Sequence, residues 1–438
     1  MQKSNLKHGV TQVLIEFSVE NHRAFREKQT FSLAASTTTE RSGHGHVLQT
    51  GLSVVPQVLS EACIFGANGS GKSSLISAMS VMKRIVRESG KNSPEDEIPT
   101  KPFIFHSDWR EKPTEFEVVF VLDGTLYQYG FVVSRERVLE EWLFSRPKTT
   151  GRERQLFSRI YDEENDEYEW ELNAVQLRGP RESWRTQTLP NALFLSTAVR
   201  LNAEVLAKPF KWITSDWRLL VPNSNGFRNG STVEWLKDDG EKKRILEFLR
   251  KADISLYDLH LEEQEPDSEV RDLAIAMYKA LDGKKDASEF PTIKIPSVST
   301  FRMDNSDKPT SLPMDEESTG TKALFSLAGP ILKALDSGST LVVDELNTGL
   351  HPLAFQYLVG LFADPEVNDK GAQLVFTTHD TSISEQECLG RDQIWIVEKA
   401  RDLAAALVPL TDFKERGAKG FQKKYLDGRF GGVPRVER

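Results

Sequence analysis

Gly66-Ala67-Asn68-Gly69-Ser70-Gly71-Lys72-Ser73 decides how the rest of the chain is read. The octet fits G-x-x-x-x-G-K-[ST] at every fixed position, with an apolar stretch at 62–65 before it and helix-spaced apolar residues after it. Phosphate binding needs that context. Glycines let main-chain N–H groups wrap a phosphate, and a helix starting there aims the positive end of its dipole at the same charge. The pattern predicts a nucleotide site in which Gly66, Asn68, Gly69, Ser70 and Gly71 form the cradle and Ser74 follows it. Lys72 reaches the β- and γ-phosphates and also serves catalysis, and the Ser73 hydroxyl ligates Mg²⁺.

Bulk properties narrow the class. The 438 residues suffice for two or three domains, and 56 basic against 65 acidic side chains give a net charge of −9. That balance argues against bulk electrostatic attraction to nucleic acid or an anionic membrane, and leaves local basic patches open. Cys63 and Cys388 are the only cysteines. They are too few for a disulfide framework or a zinc site and point to a reducing cytoplasm. Residues 1–8 lack the apolar core of a signal peptide, and no run approaches the ~18 apolar residues of a membrane span. The expectation is a cytoplasmic protein with no membrane association.

Upstream of the octet, residues 13–19 and 30–35 alternate as strands, joined by a link that contains Asn21-His22-Arg23-Ala24-Phe25. The planar guanidinium of Arg23 suits a nucleotide phosphate; a surface arginine on a turn is the other reading. Residues 37–50 read as a polar loop, and His44 and His46, with no partners nearby, receive no role.

Downstream, the phosphate-loop helix is expected to run to about Glu88, followed by a linker at 89–101. Residues 116–122 and 126–133 form a hairpin signal about Asp123-Gly124-Thr125. Further strands are expected at 138–144 and 155–161, with the acidic run 162–167 as a solvated turn. Helical patterns return at 193–206, at 231–254 with Ser231 and Glu234 in capping-box spacing, and at 270–281. None sustains heptads, so no long coiled coil is expected.

A phosphate loop cannot by itself place an attacking water, and complementary parts do appear later. Thr340-Leu341-Val342-Val343-Asp344-Glu345 is a buried-strand run ending in two carboxylates. Asp344 is expected to hold Mg²⁺, and Glu345 to act as general base or to orient the water. A strand at 372–376 ends in Thr377-Thr378-His379-Asp380, which sets His379 on the edge where open α/β sheets place ligands, within reach of the γ-phosphate or the water. Ser318-Thr319-Gly320 opens the helix 323–335 and forms a second anion-binding terminus. Two facing copies would use both termini, the Ser318 and Gly320 end of one completing the phosphate loop of the other.

These residues resemble the ATP-binding-cassette-like heads of the SMC, Rad50, RecF and OLD group. The likeness rests on Asn21-His22-Arg23, the phosphate loop, Ser318-Thr319-Gly320 as signature, the Walker B run 341–345, Asn347-Thr348-Gly349-Leu350-His351-Pro352 as D-loop and His379 as H-loop. Within that group the chain is most similar to the AAA15 family of bacterial ATPases, including AbiL, RloA and PARIS types. The features are the phosphate loop, Leu350-His351-Pro352 and the tail Tyr425-Leu426-Asp427-Gly428-Arg429-Phe430-Gly431. Thr319 and Thr321 replace residues usual in the transporter signature, and no Q-loop glutamine is assigned, Gln128 lying inside the hairpin.

The resemblance implies an α/β fold: an ABC-type P-loop NTPase head with an inserted β-lobe, a compact helical lobe and no long coiled coil. It divides the chain into residues 1–92 and 314–412 as the two halves of the head, 93–313 as the insertion and 413–438 as a basic tail. It implies a homodimer or higher homo-oligomer with ATP between the heads. It further implies phage defence beside a separate nuclease or toxin effector, such as a Toprim nuclease, with a nucleic acid or a phage protein as trigger. Too little chain follows His379 for a further domain of ~100 residues, so effector chemistry is expected on another polypeptide.

The tail 414–438 has eight basic and three acidic residues with Phe421, Tyr425 and Phe430 interleaved. It can track a nucleic-acid backbone, dock on a partner, or remain solvated. The leading expectation is an ATP-dependent switch, and the alternative is a RecF-like repair ATPase that loads on DNA. A GTPase is a third class, for which no Asn-Lys-x-Asp element is present.

Overall fold

The computed structural model describes residues 10–36, 47–223, 226–265, 268–281, 294–381, 383, 389–413 and 421–432. The readings of residues 1–8, of His44 and His46, and of Cys388 lie outside these. The chain divides into two compact units. The first comprises residues 1–222, 333–347 and 355–438, the second 223–332 and 348–354.

The first unit is built on two sheets. One has six strands in the order Trp217–Leu220, Thr340–Val343, Gln373–Thr377, Glu61–Phe65, Ile394–Lys399 and Ala405–Pro409. All neighbours are parallel except the last pair. The three central strands are uninterrupted buried runs, as a parallel sheet covered on both faces requires. The other sheet has seven antiparallel strands, in the order Glu167–Leu172, Arg154–Asp162, Val138–Pro147, Thr125–Val133, Thr114–Leu122, Gln12–Glu20 and Gln29–Ser32. The hairpin of the insertion therefore adds directly to the N-terminal strand.

The helix Lys72–Glu88 contributes Leu75, Ile76, Met79, Met82, Ile85 and Val86 to the same core as Phe116, Phe120 and Phe131 of the antiparallel sheet. Gln373 ties the two sheets together. Its buried amide donates to the carbonyls of Leu14 (3.1 Å) and Leu59 (3.0 Å) and accepts from Leu14 N–H (2.7 Å) and the Thr340 hydroxyl (2.9 Å), so every polar atom has a partner. Glu141 and Arg159 are fully buried and form an ion pair at 3.1 Å. The Glu141 carboxylate also accepts N–H bonds from Phe194 (2.6 Å) and Leu195 (3.0 Å), which anchors the start of the helix Phe194–Arg200 to the antiparallel sheet.

The second unit joins helices Gly230–Trp235, Asp239–Lys251 and Ser268–Leu281 to a three-stranded antiparallel sheet of Asp258–Gln264, Ile295–Met303 and Pro309–Pro313. The helix Thr319–Ser337 starts there, and Gly329 lets it approach Thr232 so closely that a Cβ at 329 would lie 2.8 Å from the Thr232 backbone.

Several expectations change. The 231–254 pattern is two helices, because Asp238 turns its carboxylate onto the N–H groups of Gly240 and Glu241 and caps a new helix; the Ser231–Glu234 capping box does not form. The 193–206 pattern breaks at Asn202, whose φ of 64° is left-handed, into Phe194–Arg200 and Glu204–Lys211. Val47–Gln49, read as loop, is a strand paired with Gln57–Leu59. Phe421, Tyr425 and Phe430 of the tail are buried, two of them within 6.0 Å of the Phe65 ring at the end of the phosphate-loop strand. Among the described residues no helix is long and apolar enough to cross a membrane.

Burial raises the carboxyl of Glu61, at the foot of that strand, to about 8. Its Oε2 meets the Ser60 hydroxyl and Oε1 has no partner. The unfolded chain releases this proton near 4.5 and the folded chain near 8, so rising pH removes stability across that window. Glu61→Gln is expected to flatten this dependence, read as melting temperature between pH 5 and 9 for both proteins.

Candidate functional site

Phosphate loop, paired acids and His379 converge because three parallel strands end at one edge. Register pairs Val343 with Phe376 and Thr377 with Ile64, so Ile64, Thr377 and Asp344 stand side by side, followed by Phe65, Thr378 and Glu345. Asn68, Gly69, Gly71, Lys72, Ser73, Ser74, Glu345 and His379 line one cavity of about 450 Å³. Arg23, Ser73 and Asp344 line an adjoining one of about 320 Å³, together with Arg84 and Lys101.

The loop is shaped for an anion. Gly69 and Gly71 take φ of 75° and 117°, and a Cβ on Gly71 would lie 3.0 Å from that of Ala405 and 3.2 Å from that of Ala24. Lys72 and Ser73 open the helix, so their N–H groups have no intrahelical acceptor. The Ser70 hydroxyl is buried without a partner. Lys72 Nζ folds back onto the carbonyls of Gly66 (2.5 Å) and Ala67 (3.1 Å). Burial pulls its pKa down, against the charges of Glu345 and Asp344. Orphan donors around a cation resting on neutral carbonyls fit a phosphate chain. Ser73 and Asp344, two hard oxygen donors on one cavity, fit Mg²⁺, which keeps much of its water.

The carboxylate side is held from the neighbouring strand. Thr377 Oγ1 lies 2.6 Å from Asp344 Oδ1 and 2.7 Å from the Glu345 nitrogen. Glu345 has a left-handed φ of 52°. Thr378 donates to Asn347 Oδ1 (2.8 Å), which leaves Asn347 Nδ2 to donate to His379 Nε2 (3.3 Å). In the tautomer whose Nε2 accepts from Asn347, Nδ1–H is the ring donor left for a ligand.

Arg23 is exposed with φ 49°, its N–H bound to the Lys101 carbonyl (2.7 Å). Asn21 and His22 are buried supports. The Asn21 amide donates to the carbonyls of Trp109 and Lys112, and burial, with Arg23 and Lys101 nearby, brings His22 down to about 3, its Nε2 lying 3.2 Å from Ser77 Oγ. Ser318 and Gly320 lie in the second unit. The exposed Ser318 hydroxyl accepts the Thr321 N–H (3.2 Å), capping its own helix, and Gly320 lies against Gly349 of the D-loop.

Asn347, Thr377 and Thr378 fall within sequence motifs that give them no role of their own, and Lys101 reads only as the end of a linker. Thr377-Thr378 stands beside His379 in the chain, yet its partners lie 31 to 33 residues away and only strand pairing reveals them.

A model of the protein family AAA_21, described as "AAA domain, putative AbiEii toxin, Type IV TA system", matches residues 62–385. No curated protein matches the chain. Among solved structures the chain is similar to an SMC head domain from Thermotoga maritima, with 13% identity, covering 90% of this chain and 98% of that one at a TM-score of 0.39. It is also similar to an SMC head with an extended coiled coil bound to the C-terminal domain of ScpA derived from Pyrococcus furiosus (13%, 95% and 99%, 0.39). A third likeness is to the recombination mediator RecF with ATP (14%, 92% and 99%, 0.33).

Gly71→Ala is expected to lower the melting temperature more than Gly69→Ala. Both meet a left-handed cost of about 1–2 kcal/mol, but a Cβ on Gly69 touches nothing whereas one on Gly71 meets two methyl groups. Differential scanning fluorimetry of the two variants checks the order.

Proposed function

The chain belongs to the AAA_21 family of AAA domains, ATP-binding and ATP-hydrolysing P-loop NTPases, and from that premise we propose that it is an ATP-driven switch of the AAA15 type. In this reading it is the cytoplasmic ATPase component of a bacterial anti-phage system and controls a separately encoded nuclease or toxin. The observation that carries the reading is the cavity joining the phosphate loop to Glu345 and His379, with the Ser318 terminus on a separate unit. The family description, which sets an AAA domain beside an abortive-infection toxin and a type IV toxin–antitoxin system, supports the defence role.

The residues divide the work as follows. Main-chain N–H groups of Lys72 and Ser73, with the Ser70 hydroxyl, take phosphate oxygens. The Lys72 ammonium exchanges the Gly66 and Ala67 carbonyls for the β- and γ-phosphates, neutral acceptors for charged ones. Ser73 and Asp344 would hold Mg²⁺, which would supply positive charge against those phosphates. Glu345 takes the proton of the attacking water, and His379 Nδ1–H donates to the γ-phosphate. Arg23 brings a guanidinium to the same phosphates. Ser318 and Gly320 are assigned to the γ-phosphate bound by a second copy, so that ATP closes a homodimer or larger ring and hydrolysis reopens it. A phage protein or nucleic acid then acts by biasing that equilibrium. The DNA-repair alternative loses one motivating feature, since the tail aromatics are buried and cannot stack on bases.

Glu345→Gln is expected to bind ATP and to turn it over at least about 100-fold more slowly, whereas Lys72→Ala loses ATP binding. Wild-type turnover by either variant overturns the site. With ATP, light scattering is expected to show Glu345→Gln at twice the protomer mass and Glu345→Gln with Ser318→Arg at the protomer mass.

A further inference from the structure

Thr377 ends its strand with a hydroxyl that is fully buried and doubly committed. Asp344 Oδ1 can only accept and the Glu345 N–H can only donate. The single hydroxyl proton therefore goes to the carboxylate at 2.6 Å, and an oxygen lone pair takes the amide at 2.7 Å. Main-chain bonds brace the same turn: Asp344 N–H to the Leu220 carbonyl (2.9 Å) and Leu346 N–H to the Thr377 carbonyl (3.2 Å). Between these fixed points Glu345 takes φ 52°, a conformation that residues with a Cβ adopt seldom.

We propose that Thr377 is the positioning residue of the hydrolytic centre, one hydroxyl fixing both the metal-binding carboxylate and the turn that presents the base. The proposal rests on the roles given above to Asp344 and Glu345. By donating to Oδ1, Thr377 fixes the plane of the Asp344 carboxylate and with it the direction in which its oxygens meet a cation. By holding the Glu345 N–H, it keeps that residue in the left-handed turn from which its side chain lines the phosphate-loop cavity. Thr377→Val keeps the shape and removes both bonds, while Thr377→Ser keeps both bonds and removes a methyl.

Mn²⁺ binding, followed by electron paramagnetic resonance with a non-hydrolysable ATP analogue, tests the proposal beside ATP turnover. Thr377→Val is expected to raise the half-saturating Mn²⁺ about tenfold to a hundredfold and to slow turnover, with analogue binding in EDTA unchanged. Thr377→Ser is expected to restore both to within about threefold of wild type. Equal losses in the serine and valine variants would assign the effect to packing and overturn the proposal, as would wild-type Mn²⁺ affinity in Thr377→Val. Should the valine variant fail to fold, Thr377→Ala carries the same comparison with serine. Failure of the underlying roles looks different: Asp344→Asn then leaves Mn²⁺ affinity unchanged, or Glu345→Gln hydrolyses ATP normally.

Discussion

Cys63, Val343 and Phe376 stand near the ends of three neighbouring parallel strands, and the hydrogen-bond register holding them level is the constraint from which the site follows. A slip of one residue would turn every side chain to the opposite face and carry Asp344 and Thr377 away from each other. Burial on both faces specifies the register strongly, and Gln373 adds a polar lock. Its amide meets Leu14, Leu59 and Thr340 only when the strand is in place. Misplacement would forfeit four buried hydrogen bonds, which makes this contact a specificity device as well as a bond.

The parts of the site that could be read from sequence are those whose geometry is closed within a few residues. Gly69, Gly71, Lys72 and Ser73 shape one turn and one helix start, and Asp344 and Glu345 follow a four-residue buried strand, so spacing alone announces them. The strand Trp217–Leu220 gave no such signal. It is short, carries Arg218, and is a strand because Thr340–Val343 pairs with it. The sheet of the second unit escaped notice for a related reason: Asp258–Gln264 is rich in acidic side chains and mostly exposed, which hides a strand from any reading based on burial.

The helix breaks show local chemistry overriding periodicity. Apolar spacing continues through 231–254, yet Asp238 offers its carboxylate to two N–H groups and restarts the helix, a competition that a hydrophobic pattern does not register. The tail is the converse case. Basic residues with interleaved aromatics suggested a segment that tracks nucleic acid, docks on a partner or stays solvated, but Phe421 and Tyr425 are four apart on a helix, so they share a face, and both bury against Phe65 while Lys423 faces outward. An element that read as separable is part of the support beneath the phosphate loop.

Buried ionisable groups indicate where a charge is still wanted. Several of those in the first unit are settled by the interior itself. Glu61 keeps its proton up to about 8, His22 stays neutral down to about 3, and Glu141 faces Arg159. Lys72 is treated differently. Burial lowers its pKa, Asp344 and Glu345 raise it, and its ammonium rests on two neutral carbonyls near a Ser70 hydroxyl that has no partner. Dipoles compensate a buried cation only in part, and charge-assisted bonds to an anion are roughly twice as strong as neutral ones. A phosphate entering the cradle therefore supplies a full counter-charge to this lysine, and the differential gain falls on the nucleotide-bound state.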